Sequence, residues 1–223
     1  TFVKSVNQIS IKKDIAIAET LPSKFYLENT YFNRSLENIF KNSWQFLTHN
    51  HLIKNKITPF NFLEDTISEP LILSKENNKL KCFSNVCTHR GNILCSKVSD
   101  QKSIQCSYHG RTFDLNGKMK NMPGFEGVKN FPSESDNLPN IDLLDWKKFI
   151  FCSLSKRFSI KNILSDISKR LKSFPFEKLD FDQDKSNTYV INVHWALYCE
   201  NYLEGFHVPY VHHGLNTDID LDS

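Results

Sequence analysis

Two short stretches of the chain repeat one arrangement of metal-ligating side chains. Cys87-Thr88-His89-Arg90-Gly91 and Cys106-Ser107-Tyr108-His109-Gly110 each hold one cysteine and one histidine, with a glycine within two residues of the histidine. Sixteen residues lie between His89 and Cys106. A zinc finger groups its cysteines together and its histidines together. Here the pairs are split evenly between two loops. That split suits a [2Fe–2S] cluster with two cysteines on one iron and two histidines on the other, clamped between two hairpin tips. The glycines let the backbone turn tightly beside the sulfurs. Zinc is the alternative metal, and core cysteines beside incidental histidines is the reading with no metal at all. A second constellation lies in CENYLEGFHVPYVHH (199–213), where His207 and His212 stand five apart, just after Glu204. It offers two histidine ligands of a further metal site and leaves that site incomplete.

These residues need a scaffold, and the composition describes an ordinary globular one. The 223 residues are 39% hydrophobic and 24% charged, with a formal net charge of +3. That is enough chain for one large domain or two small ones. The lysines are scattered among acids, which gives nucleic-acid binding no support. The longest apolar runs, such as FIFCSL at 149–154, are far too short to span a membrane. TFVKSVNQIS at the N-terminus lacks the apolar stretch of a secretory signal and an initiator Met, so the start is processed or the sequence is a fragment. Two of the six cysteines sit next to histidines. Without an export signal, that favours metal binding in a reducing, cytoplasmic compartment over a disulfide framework.

Residues 1–30 read as an irregular arm, and 35–43 (SLENIFKNS) as a short amphipathic helix. From Trp44 the runs WQFL, PLILSK, KLKCFSNV, SIQCSYHG and KKFIFCSL alternate with turn chemistry at Glu76-Asn77-Asn78, Asp100-Gln101 and Asn116-Gly117. This pattern predicts a small all-β sandwich or barrel over 44–154. Periodicity over 160–174 predicts an amphipathic helix with Ile160, Ile163, Leu164, Ile167 and Leu171 on its core face, stopped by Pro175. TYVINV (188–193) reads as a strand. Trp195 to His207 reads as a helix ending near Pro209, with Glu204 and His207 on one face.

Residues 44–154 resemble a Rieske domain. The respiratory-complex branch of that family adds a disulfide between the loops, and its extra cysteines would fall at Asn92 and Tyr108. The resemblance is therefore to the oxygenase and ferredoxin branch. Cys82, Cys95, Cys152 and Cys199 read as small buried hydrophobes. WALYCENYLEGFHVPYVHHGL then resembles the mononuclear-iron motif of Rieske non-haem iron oxygenases, the aromatic-ring-hydroxylating α (large terminal) subunit family. That resemblance implies Cys87, His89, Cys106 and His109 as cluster ligands. It implies His207 and His212 as Fe(II) ligands, with family spacing favouring His212 over His213. Such an iron is held by two histidines and a carboxylate, leaving positions for O2 and substrate. Pro209 is expected to break the helix so that His212 turns back toward the metal. The family takes its carboxylate from an Asp far downstream, whereas Asp218, Asp220 and Asp222 read as an acidic tail. Glu204 is implied to bridge an iron histidine to a cluster histidine of a neighbouring subunit, the position of His109 here. Asn201 and Glu200 are implied to line or support the site. The chain departs from the family at Ser107 and Arg111, where CPYHGW has Pro and Trp, and at His194-Trp195-Ala196, where Asn-Trp-Lys is common. A bridging Glu rather than Asp resembles members acting on quaternary amines such as choline or carnitine.

The resemblance implies an α+β chain: an N-terminal arm and helix (1–43), an all-β Rieske [2Fe–2S] domain (44–154), and the start of an incomplete helix-grip catalytic domain (155–223). This is the N-terminal portion of a longer α subunit. Electrons from NAD(P)H are expected to pass through a reductase, sometimes with a ferredoxin, to the cluster. They then reach the Fe(II) of a neighbouring subunit, where O2 is activated for mono- or dioxygenation: hydroxylation or demethylation of a small aromatic or quaternary-amine substrate. A homotrimer or α3β3 assembly is expected. A chain of this length is expected to be inactive alone and poorly soluble, because an unfinished sheet leaves an open edge. The alternatives are a Rieske ferredoxin-like electron carrier with a non-functional catalytic remnant, which has no need of Glu204, His207 and His212, and a structural zinc module.

Overall fold

A computed structural model describes residues 9–155, 157 and 159–218. Asp220 and Asp222 of the acidic tail lie outside the described residues. The chain divides into two compact units, Leu36–Gln183 and a second that joins residues 9–35 to 184–218.

Within the stretch read as an irregular arm, the described residues up to Pro22 are irregular apart from a 3-10 turn at Ile15–Ile17, and helices follow with α1 at Ser23–Leu27 and α2 at Asn29–Asn38. The helix expected over 35–43 is the end of α2 followed by a 3-10 turn at Phe40–Asn42. The strands follow in order: β1 (Gln45–His49), β2 (Ile57–Phe62), β3 (Glu69–Glu76), β4 (Lys79–Ser84), β5 (Ser103–Gln105), β6 (Thr112–Asp114), β7 (Met119–Asn121), β8 (Asn140–Trp146) and β9 (Phe149–Ser153). They form a six-stranded antiparallel sheet of order β1-β9-β8-β4-β3-β2 and a three-stranded sheet β5-β6-β7.

Strand β3 shows why the apolar runs lack a polar face. Leu71, Ile72 and Leu73 are all buried, because both faces of the large sheet are covered. Ile72 and its cross-strand partner Phe83 belong to one core with Ile104, Phe113 and Met119 of the small sheet. Leu71, Leu73 and Cys82 face the other way, with Ile53, Phe62 and Cys152. A one-residue slip would exchange the two sets, so register is fixed by the core.

The turns follow local chemistry. Asn77 (φ 49°) and Asn78 (φ 61°) make the two-residue β3–β4 turn, since left-handed backbone suits asparagine. Lys147 (φ 50°) and Lys148 (φ 73°) make the equivalent β8–β9 turn without that preference. Contacts compensate: Lys148 Nζ donates to the Leu179 carbonyl at 3.2 Å, and Lys147 Nζ sits 4.3 Å above the Phe176 ring.

Beyond the sheets, α3 (Lys161–Arg170) is shorter than its periodicity suggests. Of its apolar stripe only Leu164 is buried, and Ile163 is 56% exposed. The strand expected at 188–193 is absent: these residues carry no regular secondary structure, and Val190 is 96% exposed. A strand needs a neighbour to satisfy its backbone, and no other strand reaches it among the described residues. The last helices are α4 (Trp195–Leu203), α5 (Val208–Val211) and α6 (His213–Asn216). No helix among the described residues is long and apolar enough to cross a membrane.

Gly117 joins the two sheets. It is left-handed (φ 76°), its carbonyl accepts the Leu138 N–H at 2.8 Å, and a Cβ there would lie 2.5 Å from the Phe83 ring. Gly117→Ala therefore combines backbone strain with overpacking and is expected to cost about 1–3 kcal/mol. Chemical denaturation checks this, and a midpoint equal to wild type would contradict the close approach.

Candidate metal centres

The two Cys/His loops have the same backbone. In the first, the Cys87 N–H donates to the Asn92 carbonyl at 2.8 Å and the Gly91 N–H to the Cys87 carbonyl at 3.0 Å. In the second, Cys106 donates to the Arg111 carbonyl at 2.8 Å and Gly110 to Cys106 at 3.0 Å. Gly91 and Gly110 have φ of 71° and 72°, the left-handed turn each closure requires. The second loop is the tip of the β5–β6 hairpin, closed by the Gln105–Thr112 pair. The first follows β4 and is closed by an isolated Val86–Ile93 bridge.

This geometry brings the four donors together. The Cys87 and Cys106 thiols lie close enough to perturb each other's ionisation, and the His89 and His109 rings meet edge to face with centroids 4.8 Å apart. Both cysteines are buried in the core that contains Ile72 and Phe113. Burial pushes the Cys87 thiol up. Burial acts the same way on Cys106, but the backbone N–H groups of Tyr108 and His109, the Cys87 thiol and the Asn92 amide outweigh it and lower its pKa. Desolvation, then the charges of His109, Arg111 and Arg90, keep the His89 imidazole below its usual range.

The donors fit a [2Fe–2S] cluster. His109 Nδ1 is buried with no hydrogen-bond partner, a lone pair that a metal ion would satisfy. Among the described residues no three His, Cys, Asp or Glu side chains converge on one ion position. A cluster of this type asks only two protein donors of each iron.

Three neighbours make contacts that the sequence reading did not foresee. The Asn92 amide reaches Cys106 Sγ at 3.7 Å. Arg111 is buried, with Nη1 donating to Thr88 Oγ1 at 2.8 Å and Nη2 to Asp136 Oδ1 at 3.2 Å. Asn92 and Arg111 directly follow the loop glycines, and that adjacency was a usable signal. Asp136 lies 25 residues from Arg111 and had none. Tyr108, by contrast, is 60% exposed at the loop tip, its ring tilted at 41° against that of His109.

The second constellation differs from its sequence reading in its helix boundaries and in the place of Glu200. Helix α4 ends at Leu203, and Glu204 is an extended C-cap (φ −103°, ψ 147°) before Gly205, a poor helix former. Glu204 and His207 thus do not share a helix face. They meet across a turn, where Glu204 Oε1 lies 2.5 Å from His207 Nδ1 and Oε2 accepts the Phe206 N–H at 2.6 Å. The His207 hydrogen bond, then that of Phe206, holds the Glu204 carboxyl below the usual range against the effect of desolvation. Pro209 falls within the first turn of α5 rather than breaking a long helix. Even so, the His207 and His212 rings lie 5.2 Å apart, edge to face. Asn201, Glu204, His207 and His212 line one cavity of about 560 Å³. His213 and Glu200 are not in its wall.

Glu200 instead faces the N-terminus, accepting the Tyr26 hydroxyl at 2.8 and 2.9 Å on its two oxygens. Phe25, Tyr26 and Phe32 pack around His194, which caps α4 by accepting the Ala196 N–H at 3.2 Å. Of the remaining cysteines, Cys82 and Cys152 are fully buried, Cys95 is half-buried, and Cys199 is exposed on α4, contrary to expectation. Cys199 follows Tyr198, which is itself 63% exposed, on a helix face that nothing described covers.

Residues 43–132 match the Rieske [2Fe-2S] domain family. The choline monooxygenase of Arabidopsis thaliana chloroplasts is 26% identical over 99% of this chain and 54% of its own length. The carnitine monooxygenase oxygenase subunit of Escherichia coli is 28% identical over 92% and 55%. The chain thus spans about half the length of the curated relatives it matches. The crystal structure of the quaternary ammonium Rieske monooxygenase CntA superposes with a TM-score of 0.71 at 23% identity, covering 91% of this chain and 57% of that one. Another study of that enzyme reports inter-subunit electron transfer. Naphthalene 1,2-dioxygenase gives 0.61 at 24% identity, covering 83% and 43%. Residues 43–132, which carry both loops, thus match a Rieske [2Fe-2S] domain, and the mixed α/β fold is that of the Rieske oxygenases it superposes on.

The Tyr26–Glu200 bond makes a testable pH dependence. Partial burial, then the hydrogen bond and charge of Glu200, push the Tyr26 phenol from 10.0 up to about 12. A raised pKa on an acid favours the neutral form in the folded chain. The stabilising contribution is therefore complete below pH 10.0 and disappears as pH rises through about 12. Glu200→Gln is expected to bring Tyr26 back toward the ordinary value in an ultraviolet phenolate titration. An unchanged titration would contradict the assignment.

Proposed function

We propose that this chain is the N-terminal part of a Rieske oxygenase component, with 44–154 as its electron-transfer domain and the residues around α4 and α5 as the beginning of its mononuclear-iron domain. The observation that carries the proposal is the convergence of two thiols and two imidazoles from identically closed loops. Cys87 and Cys106 would hold one iron of the cluster and His89 and His109 the other. His207 and His212 would hold Fe(II), with the third ligand supplied by a carboxylate beyond the described residues. When bound, these centres supply one-electron transfer and activation of O2.

The protein's own part is positional. Glu204 accepts from His207 Nδ1, which fixes the tautomer and leaves Nε2 as the donor for a metal. A carboxylate in that position also makes the imidazole a stronger ligand. Asn201 lies in the same cavity wall, at hydrogen-bonding reach of whatever occupies the cavity. Its exposure leaves it free to serve a substrate or a neighbouring segment.

Relatives named for choline and carnitine support a quaternary ammonium substrate, and hydroxylation or demethylation as the outcome. Electron supply from NAD(P)H through a reductase, with or without a ferredoxin, is part of the same reading. So is a trimeric assembly in which a cluster serves the iron of the next subunit, supported by the inter-subunit transfer reported for CntA. We place the protein in the cytoplasm, in keeping with six free thiols among the described residues.

Anaerobic reconstitution with iron and sulfide tests the proposal. Wild type is expected to gain the visible spectrum of a [2Fe–2S] cluster with two irons and two sulfides per centre. Cys106→Ser is expected to lose it, and His207→Ala to keep it while losing affinity for additional Fe(II). A colourless wild type that binds zinc stoichiometrically would overturn the proposal. Loss of the cluster spectrum in His207→Ala would overturn the two-site assignment.

A further inference from the structure

Arg111 is one of the few buried charges in the chain, at 4% exposure. It stands where the resembling family carries tryptophan, so its charge is a property of this chain. Its backbone closes the second loop by accepting from Cys106. Its side chain crosses to the first loop, where Nη1 donates to Thr88 Oγ1 at 2.8 Å. Thr88 lies between Cys87 and His89, and its hydroxyl donates in turn to the Asp136 carbonyl at 2.7 Å. The guanidinium carbon also lies 5.6 Å from the centre of the Phe131 ring. One cation thus touches the second loop through its backbone and the first through its side chain.

Its one acidic partner among the described residues is the wrong shape to cancel it. Asp136 meets the guanidinium with a single oxygen, Oδ1, at 3.2 Å, and its side chain is 20% exposed against 5% for Arg111. The other oxygen, Oδ2, accepts the Ser133 N–H and hydroxyl, both at 2.8 Å. Arg111 Nε has no hydrogen-bond partner among the described residues. An arginine used only as structural glue would be expected to make a two-pronged bond to its carboxylate. This one instead keeps positive charge behind the cysteine–histidine loops, on the buried side.

We propose that Arg111 is a positioning residue that also sets the reduction potential of the [2Fe–2S] centre, holding the two loops in register and favouring the reduced state. The inference rests on the cluster reading above. With two ferric ions, two sulfides, two thiolates and two neutral imidazoles, the oxidised centre is electroneutral. One electron from an external reductant converts one ferric ion to ferrous and leaves a net negative charge. Arginine remains protonated throughout, so its attraction acts on the reduced centre alone. Burial weakens the solvent screening that would otherwise erase it.

Potentiometric titration of the reconstituted chain, followed by electron paramagnetic resonance, tests this with Arg111→Gln, Arg111→Lys and Asp136→Asn. In Arg111→Gln the equilibrium constant for reduction is expected to fall about tenfold, a downward shift of about 59 mV for a one-electron couple. Arg111→Lys keeps the charge and should stay closer to wild type. Asp136→Asn keeps the guanidinium and removes the facing carboxylate, so its potential should rise. Equal potentials in Arg111→Gln and wild type, or equal falls in Gln and Lys variants, would overturn the role of charge. If Arg111→Gln does not retain its cluster, Asp136→Asn decides: an unchanged or lowered potential overturns the proposal. A wild-type chain that forms no [2Fe–2S] centre overturns the functional reading and this one with it, and that outcome is visible before any variant is titrated.

Discussion

The paired closure of the two loops is the constraint on which the rest depends. Each loop returns on itself through one bond donated by the cysteine N–H and one accepted by the cysteine carbonyl. The glycine between them must be left-handed, so the cysteine and the histidine of each loop emerge on the same side. Repeating that unit in two hairpin-like segments of one core places four donors face to face. The arrangement is built from backbone bonds and from the burial of Cys87 and Cys106 among Ile72, Ile104 and Phe113.

The supporting structure reads as what is needed to keep those loops apart by the right amount. The small sheet carries the second loop, and the large sheet carries the first at the end of β4. Gly117 lets the small sheet approach Phe83 of the large one. Arg111, Thr88 and Asp136 form a polar strap across the loops. In the other unit the polarity is reversed: Tyr202, Phe206 and Tyr210 are each more than 80% exposed beside the His207–His212 pair. Aromatic side chains at that exposure suit a surface that further chain covers. This agrees with a chain that spans about half the length of its relatives.

Most of the two-sheet region was legible in the sequence because its signals are local. A CxH pair followed by glycine fixes a loop, and Asn77-Asn78 fixes a turn, without reference to distant residues. The errors fell where local signals compete with tertiary context. TYVINV has strand composition but no partner strand. The apolar stripe of α3 buries only Leu164, because periodicity shows which face is apolar and not whether anything covers it. The early end of α4 was hidden by reading Pro209 as the breaker, when Gly205 and the Glu204 cap come first. The contact between Glu204 and His207 survived that error, since a turn can bring together residues three apart as well as a helix can. Asp136 was out of reach altogether: its importance comes from a fold that brings it to Arg111.

The central claim is that one iron of the centre is held by Cys87 and Cys106 and the other by His89 and His109. The most direct measurement is pulsed electron–nuclear double resonance on the reduced protein grown with nitrogen-labelled histidine. The account expects two strongly coupled histidine nitrogens, one of which disappears in His109→Cys or His89→Cys while the other remains. A reduced centre with no coupled histidine nitrogen would contradict it, because the cluster would then be held by sulfur alone.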